Sequence, residues 1–297
     1  MTMALSKPNF FIIGAPKCGT TSLHNYLNSH SQITMSHPKE PHYFSTDIDN
    51  GGIRNQEKYA SCFSHSDKNA IAIGESSTLY LYSEVAVQNI YNYSRDAKFI
   101  TMIRNPIEIA RSFHQVALKV FGEIETDFQE AWFLEENRRL GMNIPIGCLD
   151  PKLILYGNIA KIGQQVKRLL DKINSDKIHF VLYDDFKSST ESEYMKVLNF
   201  LNVDVELPNS FSSYNKTHRI KNEALTKLIN YGSALKKKMK IKTKFNVADK
   251  IHKMNITDDP LDELPTSFII KMNKFFEHDI TLLSKLIKKD LSKWIVS

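Results

Sequence analysis

The sequence predicts an α/β fold in which a central parallel β-sheet is flanked by helices on both faces. Three observations carry that expectation. Short apolar, aromatic and β-branched runs at Phe10–Ile13, Lys98–Ile103 and Ile178–Tyr183 read as buried strands. Longer stretches with helical spacing alternate with them, the pattern of a parallel sheet covered on both sides. The first run breaks at Gly14 and Pro16 and resumes as a helical pattern near Thr20, so a tight turn joins a buried strand to a helix N-terminus.

The elements follow in order. Phe10–Ile13 is a strand, Thr20–Ser29 a helix, and Met35–Gly52 loop-rich. Asn55–Phe63 is a short helix, Ala70–Ile73 a short strand and Glu84–Tyr93 a helix. The strand Lys98–Ile103 leads into a helix over Pro106–Phe121, whose proline suits a first turn. Helical stretches near Asp127–Leu140 and Lys152–Ile173 precede the strand Ile178–Tyr183 and the helix Thr190–Leu201. Lysine-rich and Leu/Ile-rich helices fill the chain from about residue 220. The 297 residues are expected to form a single domain with this helical C-terminal third.

Composition narrows the class of function. The net charge of +6 fits a protein that handles anionic ligands, and it is too small and too scattered to argue for nucleic acid. No run of eighteen apolar residues exists, so no membrane span is expected. Met1–Pro8 lacks the apolar middle of a signal peptide. Cys18, Cys62 and Cys148 are odd in number and widely spaced, which argues for a reducing compartment and against a disulfide framework or zinc cluster. A cytoplasmic location is the expectation. The densest basic run, Lys236–Lys244, reads either as a solvated face or as a surface for an anionic acceptor or membrane. Nothing in the chain specifies an oligomeric state.

Four segments carry chemistry. The first is the turn after the opening strand. Against the P-loop pattern G-x-x-x-x-G-K-[ST], Gly14 and Gly19 hold the glycine positions and Thr21 the hydroxyl. Thr20 stands where the lysine belongs, and Lys17 lies three residues earlier. Lys17, Cys18, Gly19, Thr20, Thr21 and Ser22 therefore read as a P-loop-like phosphate cradle without the usual triphosphate chemistry. Cys18 is open to two readings, a low-pKa thiolate or a small residue that fits. The second segment, Ser36–Phe44, packs Lys39, Glu40 and His42 between prolines. Glu40 or His42 is a candidate general base, and a loop tucked against the core would raise a carboxylate's pKa. The third is Arg104, leaving the end of a strand, with Ser112 eight residues on along a helix; a guanidinium fork with a hydroxyl suits a dianionic phosphate. The fourth, Ser213–Arg219, offers Lys216 and Arg219 as phosphate ligands.

Pro16-Lys17-Cys18-Gly19-Thr20-Thr21-Ser22-Leu23 resembles the 5′-phosphosulfate loop of sulfotransferases that use 3′-phosphoadenosine 5′-phosphosulfate (PAPS). Lys39-Glu40-Pro41-His42-Tyr43-Phe44 resembles the segment that follows it in the glycan and bacterial carbohydrate branch. The resemblance runs from about Phe10 to Arg219. It implies a sulfotransferase fold, with Lys17 and its loop on the phosphosulfate and Glu40 as base. The cytosolic small-molecule branch uses a histidine, which keeps His42 open. Arg104 and Ser112 match the unit that reads the 3′-phosphate, and Lys216 and Arg219 fall in a late loop that closes over the nucleotide. It implies adenosine 3′,5′-bisphosphate as product and a carbohydrate or small-molecule acceptor such as an alkaloid; no metal is expected, since the chain shows no paired acidic cluster for Mg²⁺ and no His/Cys ligand spacing. One departure stands out: Gly157-Asn158 is followed by Ile159, where many relatives carry a tyrosine, and Tyr156 precedes the glycine. Two rival classes share some of these features. A P-loop kinase or NTPase would want lysine at position 20 and an acidic strand end, which Asp184-Asp185 offers. A non-catalytic polyanion-binding protein on the same fold is the other.

Overall fold

The structure, a computed structural model, describes residues 7–66, 69–212, 219–222, 225–230, 232, 254–257 and 261–295. Lys216 and the basic run 236–244 lie outside them. The chain divides into two compact units. One comprises Met1–Asn105, Ile162–Asn215 and Asp279–Ser292; the other comprises Pro106–Lys161, Lys216–His278 and Lys293–Ser297.

The first unit holds a five-stranded sheet. Its strands are β1 (Phe10–Gly14), β2 (Ile33–Met35), β3 (Ala72–Ser76), β4 (Lys98–Ile103) and β5 (Ile178–Leu182). They run in the order β2-β3-β1-β4-β5, and every neighbouring pair is parallel. β1 is central, and all five of its residues are buried, which is why it reads as an unbroken apolar run. The chain goes out from β1 to β2, returns to β3 beside β1, and crosses to β4 on β1's other side. That reversal makes the carboxyl ends of β1 and β4 a topological switch point, where open α/β sheets bind ligands.

The helices in chain order are α1 (Thr20–Asn28), α2 (Gln56–Ser61), α3 (Ala86–Tyr93), α4 (Pro106–Val116), α5 (Phe128–Phe133), α6 (Glu135–Arg139), α7 (Tyr156–Ala160), α8 (Ile162–Leu170), α9 (Tyr183–Ser188), α10 (Thr190–Leu201) and α11 (Thr266–Ile287). In the first unit α1 buries Leu23, Tyr26 and Leu27 on one side and leaves Asn28 and Ser29 exposed. The N-terminus of α8 is closed by Asp279. Its carboxylate accepts the amides of Gly163 at 2.7 Å and Gln164 at 2.9 Å. In the second unit Glu123 and Arg138 form a fully buried pair at 2.7 Å, and the Tyr156 hydroxyl donates to Glu123 at 2.5 Å. Trp132 packs there against Phe268 and Phe276. A small antiparallel ladder joins β6 (Arg219–Ile220) to β7 (Ile256–Thr257).

Several expected elements are corrected. β3 starts two residues later than expected and runs on through Gly74-Glu75-Ser76. The helix expected over Pro106–Phe121 widens into a π-type turn at Ala117–Phe121, closed by left-handed Gly122. The stretch 152–173 is a 3₁₀ turn, α7 and α8, broken at Lys161, whose ψ of 69° leaves the helical region. β2 and α9 were not anticipated. Among the described residues no helix is long and apolar enough to cross a membrane.

Gly14 ends β1 at φ +138°, and a Cβ there would stand 2.5 Å from the carbonyl oxygen of Thr78. Backbone conformation and backbone contact both oppose a side chain. Gly14→Ala is expected to lower stability by roughly 1–3 kcal/mol, read from the midpoint of denaturant unfolding.

Candidate active site

Two strand ends and one loop build the site, all within the first unit. The turn after β1 is held to the sheet by the Ala15 amide, which donates to Met102 of β4 at 2.7 Å. Lys17 follows with φ 65°, a left-handed backbone that few non-glycine residues adopt. Gly19 caps α1 in the left-handed region, and no side chain caps the helix in its place. A Cβ at Gly19 would meet the Tyr183 ring at 3.2 Å, so the turn is packed as well as bent. The first-turn amides of α1, from Thr20 to Ser22, have no acceptor within the helix and carry its positive dipole end. Thr20 and Ser22 are buried, and Lys17 and Thr21 half-buried.

Arg104 leaves β4 and reaches this turn. Its Nη1 donates to the Lys17 carbonyl at 3.1 Å, and its guanidinium carbon lies 4.5 Å from the centre of the Tyr183 ring. Tyr183 was not singled out from sequence; its position directly after β5, the strand beside β4, was the available signal. The Cys18 thiol is wholly buried, and desolvation pushes it up to about 12 even though Arg104 pulls the other way. It is a neutral thiol at physiological pH, so the low-pKa thiolate reading falls and the small-residue reading stands.

The loop after β2 brings Glu40 and His42 together. Glu40 has φ 62° and His42 φ 50°, so both are left-handed, as Lys17 is. Residues held in such sparsely populated conformations cluster at functional sites. The Glu40 carboxylate pairs with the Lys39 ammonium, and its other oxygen meets His42 Nε2 at 3.3 Å. The backbone is pinned on both sides. The Glu40 amide donates to Ser76 O at 3.0 Å, and the Arg54 guanidinium donates to the carbonyls of His42, Ser45 and Ile48.

The sequence expectation of a raised carboxylate is corrected here. Burial alone would raise Glu40, but the Lys39 ammonium, with help from His42, outweighs it and holds the carboxyl at about 2 against an ordinary 4.5. Glu40 keeps 38% of its side chain exposed, so solvent screens the pair and its contribution to stability is small. His24, one turn along α1 from Thr20, joins this group unannounced by sequence. It is buried, its Nδ1 has no hydrogen-bond partner, and desolvation with nearby Lys39 lowers it to about 4, leaving a neutral imidazole.

Ser112 is buried on α4 in the second unit. Arg219 contributes backbone to β6, and Lys216 is outside the described residues. Tyr156, before the departed Gly157-Asn158-Ile159 motif, is a core residue bonded to Glu123, and the Gly157 amide donates to Glu135 at 2.7 Å. Asp184 and Asp185 lie in the first turn of α9 rather than in β5. Among the described residues no three His, Cys, Asp or Glu side chains gather as a metal-ligand group.

Known proteins agree with this architecture. Human carbohydrate sulfotransferase 15 is 26% identical over 252 residues, covering 66% of this chain and 44% of its own length. The membrane-associated sulfotransferase kil1 of Dictyostelium discoideum is 33% identical over 117 residues, covering 39% of this chain and 24% of its own. The chain thus spans less than half the length of these relatives. The crystal structure of a sulfotransferase from Alicyclobacillus acidocaldarius superposes with a TM-score of 0.72 at 26% identity, over 97% of this chain and 99% of that one. The sulfotransferase domain model matches residues 7–281, and the chain belongs to the sulfotransferase domain family.

Proposed function

We propose that the chain is a PAPS-dependent sulfotransferase that moves the sulfuryl group to a hydroxyl or nitrogen of an acceptor by in-line displacement. The observation that carries the reading is the Arg104–Lys17 hydrogen bond, which ties a left-handed lysine at the end of β1 to an arginine at the end of β4. One nucleotide with anionic groups at both ends suits two cations fixed in this way.

In this reading the 5′-phosphosulfate lies against Lys17–Ser22 and Arg104 takes the 3′-phosphate. The acceptor oxygen or nitrogen attacks sulfur, the bond from sulfur to the bridging oxygen breaks, and adenosine 3′,5′-bisphosphate leaves with the electron pair. Lys17, the Thr20 and Thr21 hydroxyls and the α1 amides would stabilise the charge that grows on that oxygen. Glu40 receives the acceptor's proton, with His42 as the neighbouring alternative. A carboxylate held near 2 is fully ionised but a reluctant base. Lys39 turning toward the transferring sulfonate would release part of that depression.

Lys39→Ala tests this coupling. Without the ammonium, burial dominates and the Glu40 carboxyl moves up. The acid limb of kcat/KM is expected to shift to higher pH by about one unit or more.

A sugar hydroxyl is the favoured acceptor, because carbohydrate sulfotransferase 15 is among the relatives and the Lys39–Phe44 segment resembles that branch. A small natural product with guanidinium nitrogens is the second arm. Calorimetry with adenosine 3′,5′-bisphosphate, followed by PAPS incubation with both acceptor panels and mass spectrometry, decides. Micromolar binding and a gain of sulfonate mass are expected. No affinity for the nucleotide, or Mg²⁺-dependent ATP hydrolysis in its place, overturns the reading.

A further inference from the structure

Glu75 sits on β3 one residue from its end, beside Phe11 of β1, and is wholly buried. Neither carboxyl oxygen closes a hydrogen bond of full geometry, although the hydroxyls of Tyr59, Tyr80 and Ser77 stand against it. A carboxyl in a dry core is unfavourable unless its oxygens are used. Their use lies one layer out. Ser77 Oγ accepts the His42 amide at 3.0 Å, and the Tyr80 hydroxyl oxygen accepts the Phe44 amide at 3.2 Å. A hydroxyl that accepts an amide hydrogen still has its own hydrogen to donate. Both of these hydroxyls interact with the Glu75 carboxyl. With the Glu40 amide on Ser76 O, alternate residues of the loop hang from Ser76, Ser77 and Tyr80.

We propose that Glu75 is a positioning residue for sulfuryl transfer: through the hydroxyls of Ser77 and Tyr80 it fixes the backbone of Glu40–Phe44, and with it the left-handed conformations that aim Glu40 and His42. The proposal rests on the functional reading above. Two left-handed non-glycine residues in three positions need such external hold. The Glu75 carboxyl is pushed up by burial, opposed by the Tyr59, Tyr80 and Ser77 hydroxyls and by His42. Cys62 and Tyr93 are the other titratable groups that feel it, and Lys39, His42 and His24 are those around Glu40.

Glu75→Gln removes the charge and replaces one acceptor oxygen with an NH₂ that can only donate, so the surrounding hydroxyls must rearrange. The expected result has four parts: nucleotide affinity and KM for PAPS within about twofold, kcat lower by roughly tenfold or more, an acid limb of kcat/KM moved to higher pH as the Lys39–Glu40–His42 group loosens, and faster hydrogen exchange confined to the peptide covering Glu40–Ser45. Wild-type kcat with unchanged exchange in that peptide overturns the proposal. So does an equal loss of nucleotide affinity and kcat with exchange raised across the whole sheet, the mark of a purely structural residue. Should Glu75→Gln fail to fold, Ser77→Ala carries the test, with the same selective loss expected and wild-type kcat overturning the idea. If both fold, their kcat losses are expected to be non-additive in the double variant. The exchange measurement needs no turnover. A chain that neither binds adenosine 3′,5′-bisphosphate nor transfers sulfonate would sink the functional reading, while the exchange data still decide whether Glu75 holds the loop.

Discussion

Lys17→Ala is expected to lower kcat by roughly 10²–10³-fold, the usual effect of deleting one donor aimed at charge that develops in the transition state. The lysine sits at φ 65° in the turn between β1 and α1, and its carbonyl is held by Arg104. Alanine has the same Cβ as lysine, so the left-handed backbone is no harder to hold after the change than before. The Arg104 bond uses the main-chain oxygen and survives. Thermal unfolding is therefore expected to move little while turnover collapses, and affinity for adenosine 3′,5′-bisphosphate falls by a smaller factor, about the 1.5–3 kcal/mol of a lost charge-assisted bond. Steady-state kinetics, calorimetry and a melting curve on one preparation separate the three. Equal losses in all of them would mean that Lys17 supports the turn rather than the chemistry.

Glu40→Gln is expected to reduce transfer by about 10²–10⁴-fold with nucleotide affinity unchanged, since general-base catalysis contributes on that order. The amide keeps the size of the side chain and removes the charge. The lost pairing with Lys39 is partly solvated, so stability should change by about 1 kcal/mol or less. The pH dependence follows from the sign of the shift. The native carboxyl is depressed to about 2 from an ordinary 4.5, so both its ionised form and the stability it adds are fully present above 4.5. They are lost as pH falls from there toward 2. Wild-type kcat/KM should hold flat through neutrality and break only on the far acid side, and in the variant the acid break disappears. A break near neutrality would indicate that a different group takes the proton.

What could be read from the chain beforehand follows physical lines. β1 and β4 are legible because both are buried on both faces, so β1 is apolar throughout and β4 nearly so from Phe99 to Ile103. β3 was placed early because its second half, Gly74-Glu75-Ser76, does not look like a strand; what makes it one is the Phe10 ring over Gly74 and the hydroxyls around Glu75. β2 has three residues, too few for any periodicity. The breaks at Leu134 and Lys161 inside expected helices come from tertiary packing that no local propensity encodes. At the site, the residue types and their spacing brought out Lys17, Glu40, His42 and Arg104. The direction of the Glu40 shift is not legible in the sequence because it depends on where the adjacent Lys39 side chain points. Tyr183 and His24 carry no local signal for a similar reason: each matters through a neighbour that is distant in sequence.

The Asp279 carboxylate on the amides of Gly163 and Gln164 has a practical reach. Those amides open a helix of the sheet-bearing unit, while the acid that closes it arrives more than a hundred positions later. A recombinant fragment ending after α10 would carry the turn between β1 and α1 and the Glu40 loop yet leave that helix uncapped. Shortened versions for crystallisation should therefore keep the chain through Asp279, or be supplied with the closing peptide in trans.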